Sequence, residues 1–533
     1  MLVSIFNDVI GPVMRGPSSS HCAAALRIGR LARDLVGGTP AELLVEFDRG
    51  GSLPTTHESQ GSDMGLFGGL LGWDAADPRL LESAAALEAA GTRVRIETID
   101  AGDPHPATYR LTVGRGGSRH TLRAISTGGG MIEVIDIDGH AVSLHGDRHE
   151  TLVVAAGREQ AAEIVARLAE LGALVDDTAV LEAAGDPWVR VGSQGPLPDE
   201  AVRRLVAAGL AARVHALAPV LPVPTRRDSH VPFTSAAALL AADAGRGLPL
   251  WRHAVDYEMR RGGFSEREVI DRMLGLVRIL RRSIAEGIAG TTFDDRVLPA
   301  QAPAFAAALA AGRLVGGAAP NRVVLATTAL MEVKSSMGVI VAAPTAGACA
   351  ALPAAVITTA EDLGLDEEAM ARAMLAAGLV GVFICTPWSF AAEVGGCQAE
   401  GGSAAAMAAA GLVTLADGTL AQALAAASLA LQSMIGLICD PVANRVEVPC
   451  LGKNVMAAMN GLACANMALA GFEQVIPFDE VVATAQRVAE QMPRELRCTA
   501  LGGLSITPAS RAIEARLAER RAAACRGGTC GCG

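Results

Sequence analysis

The spacing of apolar side chains divides the chain into stretches of different period. In residues 1–150 helical and strand patterns mix. Leu26, Ile28, Leu31, Ala32 and Leu35 fall at roughly helical spacing between Ser20 and Val36, behind serines that suit a helix start. The segments LLVEFD, RVRIETI (Arg93–Ile99), TYRLTV and MIEVIDIDG read as strands. The expectation for this part is an α+β domain.

From 151 to 217 the pattern becomes TLVVAA as a strand, a helix over Gln160–Leu171, a strand pair near Ala179–Gly192, and a helix over Asp199–Ala208. That β-α-β-β-α order suggests a small α/β ligand-sensing module of the ACT type. The segment APVLPVPTRRDSHVP holds four prolines in fifteen residues, which predicts an extended linker over 218–234. Residues 235–516 are helical by periodicity and by their Ala, Leu and Met content, predicting a large all-α domain. A Cys- and Gly-rich tail, 517–533, ends the chain.

Length agrees with this division, because 533 residues exceed what one hydrophobic core usually serves. With 51% hydrophobic and 19% charged residues the chain has ample material to bury. Its 45 basic and 56 acidic residues give a net charge of −11, against general nucleic-acid binding. Ser335 to Ala360 and Thr419 to Cys439 are uncharged over bilayer length, but their Ala, Ser and Thr content, and the prolines of the first, favour buried helices over membrane spans. The N-terminus lacks the basic region of a signal peptide. Eleven cysteines, an odd count crowded late in the chain, do not form a disulfide framework, and a reducing cytoplasm is expected. Lysine occurs only at 334 and 453.

Several segments carry candidate chemistry. In GPSSSHC, three hydroxyls (Ser18, Ser19, Ser20) at a helix start offer donors to an anion such as a carboxylate, with His21 beside them for proton transfer; an over-capped helix is the competing reading. GSLPTTHESQGSD groups His57, Glu58, Gln60 and Asp63 ahead of an apolar helix, MGLFGGLLGW, with His57 a candidate base or a structural histidine. STGGG (126–130) is either a close backbone approach to a ligand or a turn. A Pro-Thr-Ala-Gly break at 344–347, holding Thr345 and Gly347, interrupts an apolar run and frees backbone groups that a ligand or a loop must satisfy. Cys397 lies in a Gly-rich loop, Cys439 precedes Asp-Pro, and Cys450 follows Pro, so all three belong at helix ends or loops. Thiolates so placed suit zinc, copper or iron–sulfur, although their spacing matches no CxxC zinc motif. Cys349, Cys385 and Cys464 are assigned to core packing.

Taken together, these segments resemble the iron–sulfur-dependent L-serine dehydratases, with beta-type and alpha-type parts fused in one chain. The resemblance runs over roughly the whole chain: GPSSSH, GSLPTTH, QGSD and STGGG, then EVKSSMGVIVAAPTAG, AAEVGGCQAEGGSAAAMAAAGL, CDPVANRVEVPC and LGGL. It implies a [4Fe–4S] cluster held by Cys397, Cys439 and Cys450. One iron then lacks a protein thiolate and acts as a Lewis acid on the substrate carboxylate and β-hydroxyl. A base removes the Cα proton, and the products are pyruvate and ammonia. Ser18–Ser20 with the Thr345–Gly347 loop would bind the substrate, with Gln60 and Asp63 close by. It also implies a cytoplasmic homodimer.

The chain departs from the family pattern at Ser59-Gln60-Gly61-Ser62-Asp63, where members usually carry Gly-His-Gly-Thr-Asp, so His57 or His21 must replace the usual histidine as base. SSSHC replaces the commoner SSSHT, and an extra glycine precedes Cys397. In some relatives a C-terminal cysteine caps the open iron; here Cys525, Cys530 and Cys532 are the tail candidates. The competing readings are a dehydratase for a related 3-hydroxy amino acid, a pyridoxal-phosphate dehydratase, which needs a Schiff-base lysine, and a non-catalytic amino-acid sensor.

Overall fold

The computed structural model describes residues 2–170, 175–183, 185–226 and 228–526, with the backbone alone of 169, 170 and 521–526. Twelve strands occur among them: β1 Val13–Met14, β2 Glu42–Asp48, β3 Arg93–Ile99, β4 Thr108–Arg115, β5 Ser118–Gly128, β6 Met131–Ile137, β7 His140–Leu144, β8 His149–Ala155, β9 Val175–Leu181, β10 Trp188–Ser193, β11 Ala211–Leu217 and β12 Ile340–Val341. The N-terminal part is mixed α/β and the rest helical, as the periodicity predicts.

A six-stranded sheet runs β3-β2-β4-β5-β6-β7, parallel between β2 and β3 and antiparallel elsewhere. Alternation sorts its faces: Tyr109, Leu111 and Val113 of β4 turn inward, with Leu122 and Ala124 of β5, onto helices Ala24–Leu35 and Ser62–Leu70. The two helices cross at backbone contact. A Cβ at Gly69 would lie 2.0 Å from the Leu26 carbonyl oxygen, which explains the glycines of MGLFGGLLG as close-packing positions. β5 lies outside the predicted strands because Arg119, Thr121 and Arg123 dilute its apolar pattern.

The second sheet is wholly antiparallel, ordered β11-β8-β10-β9, with helices Arg158–Glu170 and Asp199–Ala207 over a core that includes Val153, Ile164, Val189 and Leu205. The full order is β-α-β-β-α-β. Its last strand, β11, reads AARVHAL and has little intrinsic strand signal; the free edge of β8 supplies its ladder.

The helical part packs around Glu367–Cys385 and Ser403–Leu415, both apolar on nearly all sides and buried throughout most of their length. Glu367–Cys385 is the one helix among the described residues long and apolar enough to cross a membrane, and most of it is buried inside the protein. The uncharged stretch from Ser335 to Ala360 breaks into a helix end, β12, a loop and the helix Ala351–Asp362, while Thr419 to Cys439 contains only a thirteen-residue helix, Leu420–Gln432.

The first residues of the chain pack into this helical core rather than onto the sheets. Ile5, Val9, Ile10 and Met14 are fully buried there, and β1 pairs antiparallel with β12. Glu258 accepts the Ile5 N–H at 2.6 Å and the Ser4 hydroxyl at 3.1 Å. The described residues of the Pro-rich stretch 218–234 form no helix or strand but are pinned: Asn7 exchanges two hydrogen bonds with the backbone of Val223, and the buried guanidinium of Arg261 donates to the Pro224 carbonyl and the Thr225 hydroxyl. These contacts tie the N-terminal segment and the Pro-rich stretch to helix Leu250–Gly262.

Candidate active site

Three loops of the helical part bring cysteines to one place. Cys397 follows the short turn Ala392–Gly395, Cys439 lies beyond Leu420–Gln432, and Cys450 is the first residue of helix Cys450–Leu469, where free backbone N–H groups favour a thiolate. Cys439 packs against Cys397 and Cys498, and these thiol contacts together with burial push its thiol far up from the ordinary range. Burial, then the nearby Cys397, does the same to Cys450. Cys349 and Cys464 sit in the apolar core, as assigned, with Cys385 partly buried against it; Cys450 borders the same core.

Cys498 is the thiol that sequence patterning leaves without a role. It packs with Ala392, Cys397 and Cys439, and its segment is tied down where the Cys439 N–H donates to the Leu496 carbonyl at 2.9 Å. Downstream, Gly503 stands at φ +59, and a Cβ there would meet Asp440 Cβ at 2.5 Å, so the LGGL motif closes tightly against the residue after Cys439. Asp440 in turn accepts the Leu504 N–H and the Lys453 ammonium. Lys453 also reaches the Ile438 carbonyl at 2.7 Å and Cys397 Sγ at 3.7 Å. Burial opposes its charge, but Cys397 and Asp440 outweigh burial and raise its pKa. Lys334, fully buried, donates to the Val446 carbonyl. Both lysines are thus tied to backbone carbonyls of the cysteine-bearing segments.

Two buried carboxylates complete the surroundings. Glu400 accepts from the Thr345 hydroxyl at 2.7 Å, and burial raises its pKa. Burial raises Glu393 to about 7. Neither stands out in the sequence, because each reads as an ordinary charge beside a glycine-rich loop.

The N-terminal part supplies the opposite wall. Ser19 accepts the Ala346 N–H at 3.1 Å, joining the serine cluster to the Pro-Thr-Ala-Gly break, and Asn454 ties that loop to the Cys450 helix through the Gly347 carbonyl at 2.8 Å. Ser20 is buried alongside. Gln60 donates to Asn444 Oδ1 at 3.0 Å and lies 3.7 Å from Cys498 Sγ. The turn at Gly128 packs against Ala391, so STGGG acts as a contact between the two parts.

The two candidate histidines differ sharply. His21 is fully buried, with Nε2 2.8 Å from Thr56 Oγ1 and Nδ1 3.0 Å from Ser18 Oγ and 3.4 Å from Glu393. The Thr56 hydroxyl donates to the Ser52 carbonyl, so His21 Nε2 carries the proton and Nδ1 presents its lone pair to Ser18 and Glu393. Burial, with His57 nearby, lowers its pKa to about 3, leaving it neutral. His57 is partly exposed and bonded through Nδ1 to Asp63 at 2.8 Å. Burial pulls its pKa down, but the Asp63 hydrogen bond and charge reverse this and raise it overall. It borders a cavity of about 220 Å³ shared with Thr55, Ser59, Asn444 and Arg445. Asp63 is thereby occupied by His57 and does not cap the following helix.

Among the described residues no three His, Cys, Asp or Glu side chains converge as ligands of one metal ion. The cysteines Cys530 and Cys532, and the side chain of Cys525, lie outside the described residues.

Known proteins share this arrangement's sequence. A family model described as serine dehydratase alpha chain matches residues 245–505. The probable L-serine dehydratase alpha chain of Bacillus subtilis (strain 168) is 36% identical over 253 residues, which cover 48% of this chain and 84% of the relative. The chain belongs to the L-serine dehydratase family. The L-serine dehydratase alpha chain of Peptoniphilus asaccharolyticus is 33% identical over 261 residues, 49% of this chain and 89% of the relative. A probable beta chain of the same Bacillus subtilis strain is 41% identical over 151 residues, 28% of this chain and 67% of the relative. Alpha-type and beta-type serine dehydratase sequences are therefore joined in one polypeptide, and the wall between them is the site described above.

Proposed function

We propose that this chain dehydrates and deaminates L-serine to pyruvate and ammonia with a [4Fe–4S] cluster held by Cys397, Cys439 and Cys450. The observation that supports this reading is the packing of Cys397 against Cys439, with Cys450 near Cys397 and the serine cluster joined to the adjoining Pro-Thr-Ala-Gly break through Ser19. The donor set fits the group: soft thiols, two of them packed against each other and the third at the edge of the helical core, a lysine ammonium against Cys397, and a helix N-terminus at Cys450. When bound, the cluster supplies a Lewis-acidic iron for the substrate's carboxylate and β-hydroxyl.

The chain's own residues do the rest. Ser18, Ser19 and Ser20, with the Thr345–Gly347 loop, hold the substrate's carboxylate and amine. His57, oriented by Asp63, takes the Cα proton; His21, neutral and bonded at both ring nitrogens, positions Ser18 and Glu393 instead. Water leaves from Cβ as the Cα proton is removed, and the resulting aminoacrylate tautomerises and hydrolyses to pyruvate and ammonia. A pyridoxal-phosphate mechanism is disfavoured by the lysines: Lys453 is held as an ammonium by Asp440, and Lys334 is buried against a carbonyl, whereas a Schiff-base lysine needs a lowered pKa. The β-α-β-β-α-β module, with its ACT-like order, is the place for an amino-acid effector.

Replacing Cys439 with Ser tests the cluster assignment. The variant, purified without oxygen, is expected to lose the brown colour, most of its iron and sulfide, and pyruvate formation. A Cys439→Ser protein with full iron, sulfide and activity would exclude the assigned ligand set.

A further inference from the structure

Three assigned thiolates leave one iron of a four-iron cluster without a cysteine, and a fourth thiol already stands in the pocket. Resting on the cluster reading above, we propose that Cys498 is a fourth cluster ligand, bound to the remaining iron when no substrate is present.

Cys498 is buried and packs directly with two of the assigned thiols, Cys397 and Cys439, together with Ala392 and Leu437. Its backbone is held in the left-handed region, φ +52, a costly conformation for a residue other than glycine. Two independent restraints keep it there. The Cys439 N–H bonds Leu496, and Arg497 bridges Cys439, so the 496–498 segment is laced to the strand carrying an assigned ligand. From the opposite wall Gln60 places its amide N–H 3.7 Å from the sulfur, where it stabilises a thiolate. Gln60 thus has a partner of its own at the position where the family's usual histidine is missing.

Binding iron costs the Cys498 thiol its proton, which passes to water, and no oxidation is involved. Substrate would take the place of this thiolate at the same iron, and the released Cys498 would recover a proton from water.

The test uses the full chain, purified anaerobically, as wild type, Cys498→Ser, Cys498→Ala and a tail variant with Cys525, Cys530 and Cys532 all changed to Ser. Each is assayed for iron and sulfide, then treated with ferricyanide, and loss of one iron is followed through the EPR signal of the three-iron cluster. Wild type and tail variant are expected to lose iron slowly and alike, and both Cys498 variants about tenfold faster from the same starting iron content. Variants that take up no iron, although their apo-proteins melt at the wild-type temperature, also identify Cys498 as a ligand. Equal rates in wild type and both Cys498 variants, or acceleration confined to the tail variant, would overturn the proposal. Absence of iron and sulfide from wild type itself would instead defeat the cluster reading on which it rests.

Discussion

At the scale of single residues, protonation state separates the histidines. Asp63 raises the pKa of His57, so the base form needed for proton removal appears only above the ordinary imidazole value of 6.5. Pyruvate formation should therefore fall on the acid side with an apparent pKa above that value, and Asp63→Asn should move this limb to lower pH while slowing the reaction roughly tenfold to a hundredfold. A pH–rate profile measures both, and an unmoved limb would remove His57 from the role of base. Cys397, Cys439 and Cys450 were legible in the sequence because glycine or proline beside each forces a loop or helix end. Cys498 was not, since Leu-Arg-Cys-Thr carries no such signal and its place depends on a backbone bridge to Cys439. Glu393 and His21 illustrate the same limit: both were readable as residues, but their contact depends on the docking of two distant segments.

At the scale of elements, strands with clear alternation, such as Glu42–Asp48 and Arg93–Ile99, follow the pattern in the sequence. β5 and β11 form because neighbouring strands offer a ladder, a tertiary cause that local periodicity does not contain. The N-terminal turn Ile5–Val9 was also illegible as part of the helical core, because an apolar run does not say which core will receive it. Its anchoring makes a pH prediction. Burial raises Glu258 from 4.5 to about 7 and Asp8 from 3.8 to about 6, so both bind protons more tightly when folded than when unfolded. Their contribution to stability is complete below the unfolded values and is lost as pH rises through about 6 to 7. Urea unfolding of the apo-protein should show this decline, and Glu258→Gln, which cannot ionise, should flatten it. An identical slope in the variant would show that Glu258 does not carry the effect.

At the scale of the whole molecule, alpha-type and beta-type sequences that occur in separate curated chains are continuous here, and neither alone contains the site. The helical part brings the thiols, the lysines and the buried carboxylates; the sheet-bearing part brings the serines, His21, His57 and Gln60. Their interface is fixed by Gly128 against Ala391 and Ser19 against Ala346. Scarcity of lysine acquires meaning at this scale, since the only two in the chain are both bonded to the cysteine-bearing segments, Lys334 to the Val446 carbonyl and Lys453 to the Ile438 carbonyl and Asp440. The central claim is that this composite site turns over L-serine through oxygen-sensitive iron–sulfur chemistry. The most direct measurement is pyruvate formation from L-serine by protein purified without oxygen, followed before and after exposure to air, with iron and sulfide determined on the same samples. The account predicts that activity, brown colour and iron decline together in air and that pyridoxal phosphate restores none of them; a colourless protein that makes pyruvate equally well in air would contradict it.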